Sequence, residues 1–323
     1  ALDAEQGLLL LHPAAASRPA SARRLDQAAA RRALEAEVLP RPAVTRDGEP
    51  VQALINVDDP ALLDRLDPAH CDGIGLARSE FLFRADRPLP DEEAQFQVYR
   101  RLLAWAQGRP VTIRTLDAGG DKPIPGLTPD GESNPFLGLR GLRLSLARPE
   151  IFAVQLRALV RAAPLGDLKV MVPMVTRPDE LVAARRLLEA ALAQCRAAGQ
   201  AAALPPLGMM VEVPAAALTA EAFPADFYSI GSNDLVQYVT ATGRDNDSVA
   251  ALHDPRNPAV LELIGRVVAA GRARGVEVSL CGDMASDPAL VPLLLERGLR
   301  RLSAAPGRLA GVKAAVAAWG AHG

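Results

Sequence analysis

The sequence contains no long apolar run, no basic N-terminal stretch and very few lysines. Without about 18 uninterrupted apolar residues, it offers no candidate for a transmembrane helix. The first residues, ALDAEQG, carry acids where a secretory signal needs basic residues. We therefore expect a cytoplasmic protein.

Cysteine is scarce as well. Cys71, Cys195 and Cys281 are odd in number and unevenly spaced, which fits neither a disulfide framework nor a metal-ligand pattern. We expect three reduced thiols, with Cys71 and Cys195 in the core.

The net charge of -2 gives no general attraction to nucleic acid or to an anionic membrane. Any anionic ligand must therefore be bound by a local cluster of cations. Hydrophobic residues make up 49% of the 323 residues, which is enough for a large core and argues against disorder. The length suits either two domains or one α/β barrel with an extension.

The N-terminal part differs from the rest of the chain. Residues 1–12 are typical of the end of a β-rich unit, residues 13–19 form a break, and residues 20–38 predict a solvent-exposed linker helix. Because the chain does not begin with Met, we expect a fragment of a longer protein or a processed one.

From residue 51 onward, short apolar runs alternate with helical stretches, the pattern of β/α units around a parallel sheet. The predicted strands cover 51–57, 73–78, 111–116, 168–175, 208–213, 226–231, 276–281 and 299–304. Eight such units predict an α/β fold, a closed (β/α)8 TIM barrel preceded by the linker helix. An open doubly wound sheet is the alternative, but no G-x-G-x-x-G fingerprint follows the first strand.

Polar residues stand at the carboxyl ends of several predicted strands, where a barrel has its active site. They are Arg78, Arg114, Asp117, Glu212, Asn233, Asp234 and Cys281. Burying one charge without a partner costs several kcal/mol. One such residue could form a salt bridge at the rim, but their convergence at one end predicts a functional site.

The segment VTIRTLDAGGDK brings Arg114, a glycine pair and Lys122 together after the third strand. Gly119 and Gly120 would permit close approach of an anion, and the two cations would supply charge. A tight turn is the alternative interpretation. Lys122 favours the anion site slightly, since only 3 of the 36 basic residues are lysines.

Glu212 and Asp234 follow successive predicted strands, so their carboxylates can converge on one hard cation. Mg2+ typically uses one or two protein carboxylates together with substrate phosphate. Alternatively, both carboxylates pair with arginines.

Seven segments, in this order, carry a resemblance to a known family. They are GIGLARSEFLF, IRTLDAGGDK, NPFLGLRGLR, MMVEVPAAA, DFYSIGSNDLVQY, TGRDN and CGDMASDP. Together they resemble the phosphoenolpyruvate-binding barrel of enzyme I of the bacterial phosphotransferase system. The first dozen residues resemble the end of that enzyme's phosphohistidine domain. The resemblance thus divides the chain into 1–42, the domain end and linker helix, and 43–323, the barrel.

The resemblance implies that the barrel binds phosphoenolpyruvate with Mg2+ and supports phosphoryl transfer to a histidine of an N-terminal domain. A histidine-containing phosphocarrier protein, of sugar transport or of a regulatory pathway, then receives the phosphoryl group, and pyruvate is released. The family also implies a homodimer. None of His12, His70, His253 and His322 stands in the family's Gly-rich acceptor motif, and for His253 we expect a structural or surface role.

The family's residue roles transfer by motif position. Mg2+ would be held by Glu212 and Asp234, and Cys281 would protonate the enolate at C3. Arg78 would steady the phosphoryl group during transfer. The substrate oxygens would be held by Arg78, Arg114, Lys122, Arg140, Asn233 and Arg244.

Three positions depart from the family pattern. Ser79 and Ser232 stand where Thr is usual, and Asp283 stands where Glu is commoner. Two other interpretations stay open, the barrel of a pyruvate phosphate dikinase or phosphoenolpyruvate synthase, and a non-catalytic phosphoenolpyruvate sensor. Cys281 argues against a sensor, which needs no proton donor.

Overall fold

The computed structural model describes residues 2–3, 8–9, 35–83, 87–120 and 122–320. Leu2–Asp3 and Leu8–Leu9 pair as a short antiparallel ladder, which agrees with the predicted β character of the first residues. The predicted break at 13–19 and most of the predicted linker helix lie outside the described residues. The described end of that helix, residues 35–38, is helical. The division at residue 42 stays a prediction.

Eight parallel strands close into a barrel in chain order, with the last strand beside the first. They are β1 (Gln52–Val57), β2 (Ile74–Arg78), β3 (Val111–Arg114), β4 (Leu168–Val172), β5 (Leu207–Val211), β6 (Phe227–Ile230), β7 (Glu277–Leu280) and β8 (Arg301–Ala304). β8 pairs with β1 from Arg301 opposite Gln52 to Ala304 opposite Ile55. All eight predicted strands are confirmed, with ends that differ by a few residues.

Helices cover the outside of the ring. The α-helices of the described barrel residues are α1 (Glu92–Ala106), α2 (Leu142–Ala147), α3 (Pro149–Ala162), α4 (Pro178–Ala197), α5 (Pro214–Leu218), α6 (Ser232–Thr240), α7 (Pro258–Arg274), α8 (Val291–Glu296) and α9 (Leu309–Ala318). Between β1 and β2 the chain forms the 3-10 turns Pro60–Arg65 and Pro68–His70. The predicted (β/α)8 barrel is therefore confirmed.

Local sequence explains where helix α1 begins and ends. Asp91 caps its first turn, because the Asp91 carboxylate accepts a hydrogen bond from the Ala94 amide at 2.8 Å. Two acids, Glu92 and Glu93, follow in the first turn, where the helix dipole favours negative charge. The helix ends at Gln107, whose φ of 53° is left-handed.

Most of the strands are buried on both faces, which explains continuous apolar sequences such as LGMMV of β5. On β5, Met209 belongs to the large core between strands and helices, whereas its neighbour Met210 belongs to a small cluster inside the ring. That inner cluster consists of Leu76, Met171, Met210, Phe227 and Cys281. The barrel interior is thus packed, and Cys281 belongs to this packing.

At the opposite end of the barrel, Lys169 of β4 pairs with Glu277 of β7 across the ring, and Arg301 Nη1 lies 2.6 Å from Glu277 Oε2. Ion pairs at this amino end of the strands stabilise the barrel and lie away from the carboxyl ends, where barrels carry their chemistry. In the described part of the chain, no helix has both the length and the hydropathy to span a bilayer.

Candidate active site

One cavity at the carboxyl ends of the strands is lined by every residue that the sequence predicts for binding and catalysis. These residues are Arg78, Arg114, Lys122, Arg140, Glu212, Asn233, Asp234, Arg244 and Cys281. Leu76 and Met210 of the inner cluster line it too. Residues spread over more than 200 positions of sequence are therefore brought to one place, as the barrel topology requires.

Arg114, the last residue of β3, is held by two carboxylates. It is 4% exposed, its Nη2 donates to Glu80 Oε1 at 2.5 Å, and its Nη1 lies 3.4 Å from Asp117 Oδ2. Burial disfavours the charged guanidinium, but Glu80 and Asp117 outweigh burial and raise the pKa of Arg114. A permanent cation is thus fixed in the wall of the cavity.

Arg140 is the second buried cation, and it also bridges two carboxylates. Its Nη2 donates to Asp117 Oδ2 at 2.8 Å, and its Nη1 donates to Asp234 Oδ1 at 3.1 Å. The Tyr238 hydroxyl accepts a third hydrogen bond from Nη1 at 3.2 Å. Burial opposes ionisation of Asp117, but Arg114 and Arg140 prevail and lower its pKa to about 2. The alternative in which a carboxylate pairs with arginine thus holds for Asp234.

Gly119 and Gly120 form a tight turn, which was the alternative interpretation to an anion-binding site. Gly119 and Gly120 have φ of 105° and 64°, and the Gly119 amide donates to the Lys122 carbonyl at 3.0 Å. A Cβ atom on Gly119 would lie only 2.7 Å from the Arg140 Cβ. The turn therefore lets Arg140 pack closely, while Lys122 lines the cavity.

Glu212, directly after β5, is 1% exposed, and its Oε1 accepts a hydrogen bond from the Met174 amide at 2.7 Å. Burial, together with the negative charges of Asp234 and Asp117, raises the pKa of Glu212 to about 8. A carboxyl group in these surroundings would be stabilised in its charged form by a cation.

The donor set fits Mg2+ completed by substrate oxygens or water. No cluster of three or more His, Cys, Asp or Glu suited to a metal ion occurs within the described ranges. Glu212 and Asp234 nevertheless line one cavity, and two hard carboxylates are what Mg2+ uses beside phosphate. The carboxylates of the partly buried Glu80 and of the buried Asp117, Glu212 and Asp234 face two buried arginines, Arg114 and Arg140, so their full ionisation leaves two uncompensated negative charges.

Cys281 follows β7 and is 2% exposed. The Ser229 hydroxyl lies 3.4 Å from its Sγ, and the Ile230 carbonyl lies at 3.7 Å. Burial raises the pKa of the Cys281 thiol. The group is therefore protonated at neutral pH, as a proton donor must be. Cys71 and Cys195 are buried free thiols, as predicted.

Three further cations line the cavity from partly exposed positions. Arg78 pairs with Asp58 at 2.9 Å, and the Arg244 guanidinium lies 5.9 Å from the centre of the Phe136 ring. Lys122 is the third. These side chains are partly exposed, so an incoming anion can reach them.

Several buried polar atoms around the cavity lack a hydrogen-bond partner within the described residues. Arg78 Nε, Glu80 Oε2, Arg114 Nε and Ser232 Oγ are among them. Buried polar groups are rarely unsatisfied in folded proteins. Two of these atoms belong to Arg78 and Arg114, which line the cavity, and unsatisfied donors there fit a site that holds a polar ligand.

A second cavity, of about 440 Å³, adjoins the first, and Asn233 and Arg244 line both. His253 and Asp283 also line this adjoining cavity. The His253 Nδ1 atom lies 3.4 Å from the Thr242 hydroxyl. The structural or surface role predicted for His253 stays a prediction.

Sequence reasoning gave no role to several residues that organise the site. Asp117 was recognised only as a polar strand end, although it joins Arg114 to Arg140. Glu80 stands two positions after Arg78 in GLARSEFLF, and Asp283 stands two positions after Cys281. Tyr238 could have been found from helical spacing, because it lies four residues after Asp234 on α6.

A family model described as "PEP-utilising enzyme, PEP-binding domain" matches residues 32–320. A phosphoenolpyruvate-protein phosphotransferase of Bacillus sp. (strain S) is 43% identical over 280 residues, which cover 85% of this chain and 48% of the relative. The protein of that name from Haloferax volcanii is 42% identical over 322 residues, covering 98% and 55%. The chain spans about half the length of the curated relatives it matches.

Solved structures share the fold. A citrate lyase from Burkholderia xenovorans LB400 has a TM-score of 0.52 at 19% identity, covering 88% of this chain and 80% of that chain. An HpcH/Hpal aldolase/citrate lyase family protein from Burkholderia cenocepacia J2315 has a TM-score of 0.50 at 18% identity, covering 81% and 91%. At such identities they support the barrel alone. The family model and the curated relatives confirm the resemblance carried by the sequence motifs, and the chain belongs to the family of PEP-binding domains of PEP-utilising enzymes.

Proposed function

We propose that this chain is the phosphoenolpyruvate-binding part of a phosphoenolpyruvate-protein phosphotransferase. It would support phosphoryl transfer from phosphoenolpyruvate to a histidine of a separate domain, and from there to a histidine-containing phosphocarrier protein. The observation that carries the proposal is the cavity in which five cations, three carboxylates, an amide and a buried thiol converge. The relatives that bear this name are about twice as long, so the complete activity needs more than the barrel.

The charges of the cavity suit the ligand. Phosphoenolpyruvate carries about three negative charges at pH 7, roughly two on phosphate and one on carboxylate. Arg78, Lys122 and Arg244 supply three positive charges from partly exposed positions, and Asp58, paired with Arg78 at 2.9 Å, offsets one of them. One Mg2+ would balance the two excess negative charges of the buried network. Ligand and metal together therefore bring the site close to neutrality.

Each group then has a task in the reaction. Mg2+ held by Glu212 and Asp234 would stabilise negative charge on phosphoryl and enolate oxygens. Arg114, already held by Glu80, presents its unpaired Nε donor without reorganising. Arg140 donates to Asp117, Asp234 and Tyr238, so it would have to exchange one of these partners to bind a substrate oxygen. As the bond between phosphorus and the enol oxygen breaks, the acceptor imidazole bonds to phosphorus. The Cys281 thiol gives its proton to C3, which yields pyruvate, and the thiolate regains a proton from solvent.

Binding tests the proposal directly on this chain. Phosphoenolpyruvate with Mg2+ should stabilise the fold by about 2.7 kcal/mol at a hundredfold excess over Kd. In Glu212→Gln the part of the thermal shift that depends on Mg2+ should disappear, while the amide oxygen can still accept from the Met174 amide. The exposed Glu262→Gln on α7 is the matched control and should keep the parental shift.

The same variant carries a stability prediction. The folded chain binds the Glu212 proton more tightly than the unfolded chain, so stability from this group is lost as pH rises from 4.5 through about 8. Without Mg2+ at pH 9, Glu212→Gln should therefore melt no lower than the parent. If Mg2+ did not change the melting temperature of the parent chain in the presence of phosphoenolpyruvate, the proposed metal site would be wrong.

We also propose that the chain forms a homodimer. The family resemblance implies the dimer, and two-fold symmetry is the commonest arrangement of soluble oligomers. Sedimentation at tens of micromolar should give the mass of two chains. A single monomeric species, with and without phosphoenolpyruvate, would contradict this expectation.

A further inference from the structure

The side chain of Asn233 is held at both of its polar atoms by one residue, Asp283. Asn233 Nδ2 donates to Asp283 Oδ2 at 2.9 Å, and Asn233 Oδ1 accepts from the Asp283 backbone amide at 2.7 Å. A carboxamide has a donor end and an acceptor end of similar shape. The two hydrogen bonds together therefore fix the orientation of the Asn233 carboxamide, with Nδ2 toward the Asp283 carboxylate and Oδ1 toward the Asp283 amide.

The two residues come from neighbouring segments of the barrel. Asn233 lies in the first turn of α6, and Asp283 begins the 3-10 turn Asp283–Ser286 that follows β7. Between Cys281 and Asp283 stands Gly282, where a Cβ atom would lie 1.9 Å from Ser232 Oγ and 2.8 Å from Asn233 Oδ1. The segments thus interlock at a distance that only glycine permits, and this contact keeps Cys281 and Asn233 in a fixed relation.

Asp283 lines the adjoining cavity, whereas Asn233 lines both that cavity and the proposed substrate cavity. Asp283 therefore reaches the substrate cavity through Asn233. The pairing leaves Asn233 with one hydrogen on Nδ2 and one lone pair on Oδ1. These are the groups that can meet substrate oxygens or an ordered water.

Building on the proposed function, we propose that Asp283 is a positioning residue. It orients the Asn233 carboxamide toward the substrate and ties that orientation to the segment that carries the proton donor Cys281. Without the Asp283 carboxylate, Nδ2 loses its partner and the carboxamide can turn. In a fraction of the molecules, Nδ2 and Oδ1 of Asn233 would then exchange positions, so that a donor faces the substrate where an acceptor is needed, or the reverse.

A double-mutant cycle measures this coupling. The dissociation constant for phosphoenolpyruvate with Mg2+ is determined by calorimetry on the 323-residue chain and on Asp283→Ala, Asn233→Ala and the double variant. Asp283→Ala should weaken binding about tenfold, the effect of losing a hydrogen bond to a charged group. In the Asn233→Ala background the same change should have no further effect.

Two more variants separate positioning from structural damage. Asp287→Ala is the matched control, because Asp287 lines the same adjoining cavity while its carboxylate accepts from the Ala289 amide. It should bind as the parent does. Asp283→Asn keeps an oxygen that can accept from Nδ2 and should recover most of the affinity.

A spectroscopic measurement decides the inference without any ligand. The sequence has only five asparagines, so selective 15N labelling gives a simple set of side-chain amide signals, and the Asn233 pair is assigned by its loss in Asn233→Ala. In Asp283→Ala this pair should move toward the positions typical of solvent-exposed asparagine, and in Asp287→Ala it should stay in place.

Additive effects in the cycle would overturn the positioning role, as would equal losses in Asp283→Ala and Asp287→Ala. An Asn233 signal unchanged by Asp283→Ala would overturn it as well. If the parent chain bound no phosphoenolpyruvate, the proposed function would fail, and the amide signal would still decide whether Asp283 orients Asn233.

Discussion

Mixed with phosphoenolpyruvate and Mg2+, the 323-residue chain should release no pyruvate until a phosphohistidine domain is added as a second polypeptide. The cavity holds groups for binding the phosphate and for protonating the enolate, but the proposed reaction also needs a nucleophilic imidazole. Pyruvate release, coupled to lactate dehydrogenase, should rise from background when the corresponding domain of a relative is supplied. The rate should stay below that of a joined protein, because a linker provides a high effective concentration.

His253 offers the sharpest control for this experiment, since it lines the cavity beside the proposed substrate site. His253→Gln should leave the rate with the added domain near the parental value. Pyruvate release by the chain alone, at a rate near that of the complemented pair and lost in His253→Gln, would identify an internal acceptor. The proposal that a separate domain accepts the phosphoryl group would then be wrong.

Replacing Cys281 by Ala should lower turnover with the added domain by about 100-fold to 10,000-fold, the usual contribution of a general acid. The affinity for phosphoenolpyruvate should change little, because the thiol acts on the enolate that appears only after the phosphoryl group has begun to leave. Turnover is measured as pyruvate release, and affinity is measured by calorimetry on the same preparation.

Cys195→Ala is the matched control for loss of a buried thiol. Cys195 is 0% exposed on α4, and its Sγ lies 3.9 Å from the Arg157 carbonyl, among helices outside the ring. This variant should lose some stability and keep its turnover number. If Cys281→Ala turned over at the parental rate, Cys281 could not be the proton donor.

The barrel fold, and which residues line the candidate active site, were predictable for physical reasons. Strands buried on both faces leave continuous apolar runs such as LGMMV of β5, and these runs fixed the strand count. Polar residues directly after such runs had to lie at one end of the ring. Arg114, Glu212 and Cys281 were found in this way.

The partners that hold those residues were not predictable from the sequence pattern. Glu80 is 34 positions from Arg114, and Asp283 is 50 positions from Asn233, so neither contact leaves a periodic signal. The sequence pattern places Asn233 and Asp234 at a strand end, whereas they lie in the first turn of α6. Polar residues after a strand are equally compatible with a loop and a helix start.

The sharing of Asp117 by Arg114 and Arg140 constrains how such a site can diverge. Removing one partner of a buried ion pair costs about 3–5 kcal/mol, and here loss of the single carboxylate would leave two guanidinium groups undercompensated. A single substitution of Asp117 is therefore strongly destabilising, so this position can change only if several neighbouring side chains change with it. Related barrels can acquire new substrates by substitutions in the loops at the barrel opening, while Asp117, Arg114 and Arg140 have to be kept together.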